Sequence, residues 1–423
     1  MKMQALVLAA GKGTRMRSER PKVLHEILGR PLLDYVLETL EQLGVRSPKV
    51  VIGAGGRELC SFIEKRNTER GTAASTVWQR EQKGTGHAVQ MAEEALTGYS
   101  GDLLIWPGDM PVLTLQTLKK FIQNHRENGL VASVLSSLQV DPAGYGRMLR
   151  AGGRFYGIRE ELDASESERR IQEVNSGIYL FKTPVLFQAL KKIRPSNSKK
   201  EYYLTDTIEV LAGEGASIDA FPLAGEKEAS GINSRMDLAM VTQMIASREI
   251  QHHMERGVSF TAPGQTFVEP GVKIGADTVI EPWCYIETGV TIGNGCIIGP
   301  FAKVRKGSVI GDGSIIGSFV EVNRSKLGKK VLAKHLAYLG DAVIGDETNI
   351  GAGAITANFD GKNKHTTRIG KKALIGSNTV LVAPVSLADF AKTGAGSVVT
   401  AGTRVKKGEV VAGVPAKSLR KRG

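Results

Sequence analysis

From Val268 to Val322 every sixth residue is β-branched and apolar: Val268, Ile274, Ile280, Ile286, Ile292, Ile298, Val304, Ile310, Ile316 and Val322. Ten successive positions at one spacing exclude an amphipathic helix, whose apolar stripe recurs every 3.6 residues. A six-residue period marks a parallel β-helix, in which the sixth-position side chains stack in a column inside a solenoid. One coil cannot bury its apolar face alone, so the core comes from stacking. Gly275, Gly293, Asn294, Gly311 and Gly317 fall at the corners, where positive φ is expected.

A chain of 423 residues is too long for one ordinary core, and two domains are the starting expectation. Hydrophobic residues make up 41% and charged residues 23%, the balance of a globular protein. The formal net charge of +13 admits nucleic acid, a membrane surface or anionic small molecules as partners. No nucleic-acid motif is present, and the Lys clusters are scattered over the chain. Phosphorylated small molecules are therefore the favoured reading, with no nucleic-acid and no membrane partner. No stretch has the roughly 20 apolar residues that a membrane span needs. The short apolar run within residues 1–13, broken by Gly and Lys, fits neither a signal peptide nor an anchor. The three cysteines, Cys60, Cys284 and Cys296, cannot all pair and lack metal-ligand spacing, which points to the cytoplasm.

Along the chain, Gln4–Ala10 reads as a buried strand opening into Gly11-Lys12-Gly13-Thr14-Arg15. An amphipathic helix is expected over 31–43, and a strand at Val50–Gly53. Short strands alternating with helices continue to about residue 225, the pattern of an α/β domain with a mostly parallel sheet. The ligand crevice of such a sheet lies at the carboxyl ends of its strands, where Gly11–Arg15 and Pro107-Gly108-Asp109 fall. The domain boundaries are expected at 1–225, a connecting helical segment at 226–257, and the solenoid at 258–423. His252 and His253 are expected on exposed helix surface. After Val322 the period slips, to be resumed at Leu332, Tyr338, Ile344, Ile350 and Thr356. A polar excursion, Asp360–Arg368, then precedes its return at Ile369. Slips and excursions in a repeat map to loops on one face, often the binding face.

A lone Gly-x-Gly after a strand is weak by itself, although glycines there let backbone N–H groups approach phosphate. The longer run Leu8-Ala9-Ala10-Gly11-Lys12-Gly13-Thr14-Arg15-Met16, followed by Pro21-Lys22, resembles the signature of sugar-1-phosphate nucleotidyltransferases. Five further runs sharpen it: Gln79–His87, Pro107–Pro111, Gly144-Tyr145-Gly146-Arg147, Glu173–Gly177 and Gly231-Ile232-Asn233-Ser234-Arg235. Taken singly, Asp109 also suits a turn and Asn233 a helix cap; six runs in order are far more specific. With the solenoid behind them, they resemble the family of bifunctional N-acetylglucosamine-1-phosphate uridyltransferases/glucosamine-1-phosphate acetyltransferases over nearly the whole chain.

That resemblance implies an α/β nucleotidyltransferase domain followed by an all-β left-handed parallel β-helix. It implies UTP, N-acetylglucosamine 1-phosphate, glucosamine 1-phosphate and acetyl-CoA as substrates, Mg²⁺ as cofactor, and a homotrimer whose second site is shared between subunits. Residue by residue, Leu8, Ala9, Ala10, Gly11, Gly13 and Thr14 would surround UTP, with Arg15 and Lys22 against its phosphates. Gln79, Gly84 and Thr85 would read uracil, Gly146, Glu160 and Asn175 would hold the sugar, and Asp109 with Asn233 would bind Mg²⁺. In the solenoid, His335 matches the catalytic base, and imidazole is the side chain suited to proton transfer near neutral pH. Arg305, Asn323, Tyr338 and Asn349 match glucosamine 1-phosphate contacts, while Asn358, Phe359, Lys364, Ser377 and Ala395 match the loop and the acetyl-CoA side.

Three positions depart from the family pattern. Asn323 stands where a Lys contacts the sugar phosphate, leaving Arg324 or Arg305 to compensate. Phe359 replaces a Tyr beside Asn358. Val411–Lys417 replaces a stretch whose Arg contacts the coenzyme A phosphate, a part open to Lys417 or Arg420. Two alternatives follow: a uridylyltransferase whose solenoid only trimerises it, or a nucleotidyltransferase for another sugar 1-phosphate.

Overall fold

Hydrogen bonding between strands builds two separate structures from this chain. The computed structural model describes residues 3–53, 55–223, 228 and 231–419. Two compact units emerge, 1–242 and 243–423, with the division inside the helix Arg235–Met254. Residues 224–227, within the expected end of the first domain and start of the connecting segment, lie outside the described residues, as do Arg420 to Arg422.

In the first unit seven strands form one sheet path. Its order is Ile218–Pro222, Ala132–Leu138, Glu173–Lys182, Asp102–Pro107, Gln4–Ala9, Lys49–Ile52 and Ser75–Trp78. All neighbours are parallel except Glu173–Lys182, which runs antiparallel to both of its partners. Helices cover both faces, so the central strands are apolar on both sides: Ala5, Val7, Leu104 and Trp106 enter one core, Leu6, Leu103 and Ile105 the other. From Gln4–Ala9 the strand order runs one way to Lys49–Ile52 and the other way to Asp102–Pro107. This switch point opens a crevice at the carboxyl ends of those strands, where Ala10-Gly11 and Gly108-Asp109 emerge.

The second unit is a three-sided parallel β-helix whose sheets hold ten, eight and eight strands. Its first strand is Ser259–Phe260. The column from Val268 to Val322 is buried throughout except at Ile274, which is half-buried. Ile298 pairs with Ile316, eighteen residues on, one full coil. Gly275, Gly293, Gly311 and Gly317 do not take positive φ; that falls on Gly271, Gly289, Gly295 and Gly313. Close approach is what requires them: a β-carbon on Gly317 would overlap the Lys334 carbonyl of the next coil.

The register after Val322 differs from the sequence expectation. Leu332 and Tyr338 are half-exposed, and the inward residues are Leu327, Ala333 and Leu339. Two steps are one residue short, Val322 to Leu327 and Leu339 to Ile344, so Val322 pairs with Leu339 only seventeen residues on. The polar excursion ends earlier than expected, since Thr367 and Arg368 already belong to the strand Thr367–Ile369. Both short steps and the excursion occur at one corner, between the second and third sheets, in consecutive coils.

The corner between the first and second sheets carries a different feature. Trp283, Phe301, Phe319 and Leu336 occupy its left-handed position with φ of 63°, 58°, 57° and 45°. Bulky apolar residues are outliers there, and equivalent positions at the other corners hold Gly or, apart from Phe390, polar residues. The four are 55%, 45%, 58% and 62% exposed. Trp283 stacks on Phe301 and Phe301 on Phe319, with ring centroids 6.4 and 4.9 Å apart.

His253 is buried rather than exposed, with its pKa pushed down to about 4 by burial. His125, on the helix Leu115–Glu127, is also fully buried; its Nδ1 lies 2.7 Å from the Ser133 hydroxyl and burial lowers its pKa to about 4. An unfolded His binds its proton near pH 6.5. Between pH 4 and 6.5 the unfolded chain therefore holds the extra proton at this position, and the contribution of His125 to stability rises with pH across that window. His125→Gln is expected to flatten this dependence in urea midpoints measured from pH 4.5 to 6.5; an unchanged slope would contradict it.

Candidate active sites

The crevice at the switch point holds a cavity of about 340 Å³ whose lining includes Leu8, Ala9, Ala10, Gly11, Lys22, Gln79, Gly84, Thr85 and Asp109. Leu8, Ala9, Ala10, Gly11, Gln79 and Asp109 are brought there by a strand end or the turn after it, whereas Lys22 opens a 3₁₀ helix and Thr85 an α-helix. Gly108 N–H donates to the Leu8 carbonyl at 2.9 Å, locking the Pro107–Asp109 turn against the first strand. Gly84, at φ 104°, leaves no room for a β-carbon against the Tyr202 carbonyl. Gly13 serves packing: at φ 62°, a β-carbon there would stand 2.9 Å from Lys22 Cβ.

Lys22 is the electrostatic centre. Its ammonium pairs with the Asp109 carboxylate and donates to Asn233 Oδ1 at 3.2 Å. A carboxylate oxygen and an amide oxygen thus converge on one cationic position. Asn233 is held there by Asp237, whose carboxylate accepts from the N–H groups of Asn233 and Ser234 at 2.9 and 2.8 Å. The helix-cap alternative for Asn233 falls to Ser234, whose hydroxyl accepts from Asp237 N–H at 3.2 Å. Among the described residues no group of three or more His, Cys, Asp or Glu side chains could hold a metal. Asp109 and Asn233 nevertheless suit Mg²⁺, which takes few protein oxygens and completes its shell with water and phosphate.

Gln79 is buried, its amide NH₂ donating to the Gly84 carbonyl at 3.0 Å and facing His87 Nδ1 at 3.1 Å. Thr85 Oγ1 accepts from Leu204 N–H at 3.0 Å. Gly146, Glu160 and Asn175 form a second cluster: a β-carbon on Gly146 would lie 3.6 Å from both Asn175 Cβ and Glu160 Cδ. Glu160 lines a separate cavity of about 380 Å³ with Asp163, Asp206 and Glu209, and burial pushes its carboxyl pKa up. Thr205 donates to Glu160 at 3.2 Å. The segment 201–205 therefore ties the Gly84–Thr85 turn to Glu160, a role that no sequence motif marks. Gly13, Thr14 and Arg15 are not in the cavity lining, and Thr14 and Arg15 are exposed on a single turn of 3₁₀ helix.

In the β-helix, His335 ends the strand Leu332–His335 at the aromatic corner, exposed and next to Leu336. Ser377 and Ala395 lie on the same corner line further along, joined by the Gly396 N–H bond to the Ser377 carbonyl at 2.8 Å. Tyr338 opens the following face, and Asn323, Gly340 and Asn358 occupy its far edge, beside the shortened corners. There Asn323 Nδ2 lies 3.4 Å from the Tyr338 hydroxyl, Tyr338 packs over Gly340, and Asn358 donates to Asp341. Arg305 sits one coil earlier, paired with Glu287 at 3.4 Å and Glu321 at 3.1 Å. Asn349 falls on the first sheet, paired with Leu332, away from that cluster. Phe359 and Lys364 bridge the base of the excursion, and Phe359 is exposed. Lys417 lies on a short strand antiparallel to Val410–Ala412, while Arg420 lies outside the described residues.

Comparison with known proteins adds the wider context. Residues 5–176 match the MobA-like NTP transferase domain, and residues 271–306 and 289–324 match the bacterial transferase hexapeptide of six repeats. The fold is thus an α/β nucleotidyltransferase domain with a left-handed parallel β-helix behind it. The bifunctional protein GlmU of Heliobacterium modesticaldum is 40% identical over 433 residues, covering 94% of this chain and 93% of that one. That of Pelotomaculum thermopropionicum is 40% identical, covering 91% and 90%, and that of Staphylococcus epidermidis 37%, covering 95% of each. With both transferase domains matched in order and relatives at this identity along nearly their full length, the chain belongs to the GlmU family of bifunctional enzymes.

Proposed function

We propose that this protein makes UDP-N-acetylglucosamine in two steps: acetyl transfer to glucosamine 1-phosphate in the β-helix, then uridylyl transfer in the α/β domain. The observation that carries the second step is the convergence of Lys22, Asp109 and Asn233 on a cavity at the sheet's switch point. A phosphate oxygen of N-acetylglucosamine 1-phosphate attacks the α-phosphorus of UTP in line, and the bond to the β-phosphate breaks to release pyrophosphate. The nucleophile is already anionic, so positioning and charge stabilisation suffice. Lys22 offsets phosphate charge at the reacting centre, and Arg15, on its exposed turn, faces the outgoing pyrophosphate. Mg²⁺, when held by Asp109 and Asn233, supplies further charge neutralisation. Uracil presents one N–H between two carbonyls; the anchored Gln79 amide offers its oxygen to that N–H, and the Gly84–Thr85 turn fixes the ring. Gly146, Glu160 and Asn175 hold the sugar.

In acetyl transfer the amine nitrogen of glucosamine 1-phosphate attacks the thioester carbonyl of acetyl-CoA. His335 takes the amine proton, the carbon–sulfur bond breaks, and coenzyme A leaves as the thiol once protonated. Ser377 and Ala395 share the His335 corner, which favours them as the acetyl-CoA side. Asn358, Phe359 and Lys364 border the sugar from the excursion, with Tyr338 completing the contacts on that face; Asn349, on the first sheet, is not part of that cluster. Asp109→Ala should abolish pyrophosphate release from UTP and spare thiol release from acetyl-CoA, whereas His335→Ala should do the reverse. A protein that makes UDP-N-acetylglucosamine from the acetylated sugar but releases no thiol with glucosamine 1-phosphate would leave the solenoid a scaffold.

We also read the protein as a homotrimer acting on small molecules. What supports this is the exposed row Trp283, Phe301, Phe319 and Leu336. The row repeats once per coil, and another copy of this β-helix has the spacing to match it rung by rung. It ends beside His335, so a neighbour seated on it would border the acetyl-transfer corner. Among the described residues no helix is long and apolar enough to cross a membrane; a cytoplasmic location is our reading. Light scattering should give about three times 45.4 kDa. Phe301→Asp combined with Phe319→Asp should reduce that mass to the single-chain value, and an unchanged mass would remove the seam.

A further inference from the structure

The shortened corners carry a charged network centred on Arg324 and Asp341. Arg324 holds φ 49° at a corner where the preceding coil has Gly307 at φ 82°; a β-carbon on Gly307 would lie 3.7 Å from Arg324 Cγ. An arginine in this left-handed conformation is disfavoured on its own, and such residues cluster at functional sites. Its guanidinium is fixed in plane by the fork of Asp341: Nε and Nη2 donate to the two carboxylate oxygens at 2.7 and 2.8 Å. Nη1 donates to Asn323 Oδ1 at 2.9 Å. A guanidinium has five N–H donors, so one remains on each terminal nitrogen. The Arg324 side chain is 38% exposed.

The partners of this group are themselves held. Asn323 is buried, spends its oxygen on Arg324 and turns its NH₂ toward the Tyr338 hydroxyl. Asn358 donates to the same Asp341 carboxylate. Asp341 is kept below the usual carboxylate range by the hydrogen bond from Arg324 first, then by the one from Asn358 and the charges of Arg324 and Lys364. Two cations thus surround one carboxylate, leaving an excess of positive charge at the edge of the Tyr338 face. Arg305 is the other candidate, but it lies between the carboxylates of Glu287 and Glu321.

We propose that Arg324 is the residue that binds the phosphate of the amino-sugar phosphate, with Asp341 and Asn323 as positioning residues that aim its free N–H edge. The inference rests on the acetyltransferase reading and assigns the phosphate end of that site. A planar, oriented guanidinium matches phosphate oxygens better than a mobile ammonium. It also explains how the site works with an amide at position 323: the shortened step brings the cation one residue further along the same corner.

The test is steady-state acetyl transfer by the full-length protein to glucosamine 1-phosphate and to unphosphorylated glucosamine. Arg324→Ala should lower the preference for the phosphorylated sugar, as a ratio of kcat/KM, by on the order of 10- to 100-fold. The KM for acetyl-CoA and uridylyl transfer by the same preparation should stay at wild-type levels, which checks folding. Arg324→Lys should recover part of the preference, and the double variant Asn323→Lys/Arg324→Ala should recover more of it than Arg324→Ala alone. A merely structural Arg324 would depress transfer to both sugars equally, and an unchanged ratio in Arg324→Ala overturns the proposal. Wild-type protein that acetylates neither sugar would overturn the acetyltransferase reading itself, a separately recognisable result.

Discussion

Parallel hydrogen bonding of each coil on the next is the interaction on which the second half of this protein depends. It fixes each residue to a position directly above its counterpart, so that an intact step from Val304 to Ile310 leaves a solvated corner of ordinary shape. Removing one residue from that step changes which side chains emerge, because the inward column must still be filled. Leu327 and Ile344 fill it, and Asn323-Arg324 and Gly340-Asp341 are carried together at the corner as a consequence. The excursion one coil further brings Asn358 onto the same carboxylate. A stacked scaffold thus converts small irregularities of length into a localised polar site.

The α/β domain reaches the same end through topology. Parallel strands on either side of Gln4–Ala9 force their following turns into one crevice, and those turns carry Gly11 and Asp109. Lys22 and Asn233 come from opposite ends of the domain sequence and meet there through hydrogen bonds. The Lys22 ammonium is paired there with the Asp109 carboxylate, so neither of those two charges is buried alone, which matters because an unpaired buried charge is costly.

Much of this is legible in the sequence, for a physical reason. The inward column from Val268 to Val322 is read directly because a buried position in a coil admits little but an apolar side chain. The strand-turn runs at Gly11 and Pro107 are read because the sheet needs apolar strands and the site needs glycine. Leu332 and Tyr338 were misplaced because a five-residue step leaves no compositional mark; Lys326 and Leu327 suit either register locally. His253 was misplaced because helix pattern alone does not reveal what packs against it. The four corner glycines were expected for dihedral freedom and are needed for contact distance instead. Arg324 was visible only as one option beside Arg305, since its partner Asp341 is seventeen residues away and the pairing exists only once the coils stack.

The central claim is that interruptions of the repeat build the sugar-phosphate end of the acetyl-transfer site, one face away from the regular corner that carries His335. Its most direct test inserts one residue after Arg324, restoring a six-residue step, and follows thiol release from acetyl-CoA with glucosamine 1-phosphate. The expected result is a loss on the order of 100-fold, the scale of an ångström-level misplacement, with circular dichroism and uridylyl transfer retained. Full acetyl transfer in that variant would contradict the account.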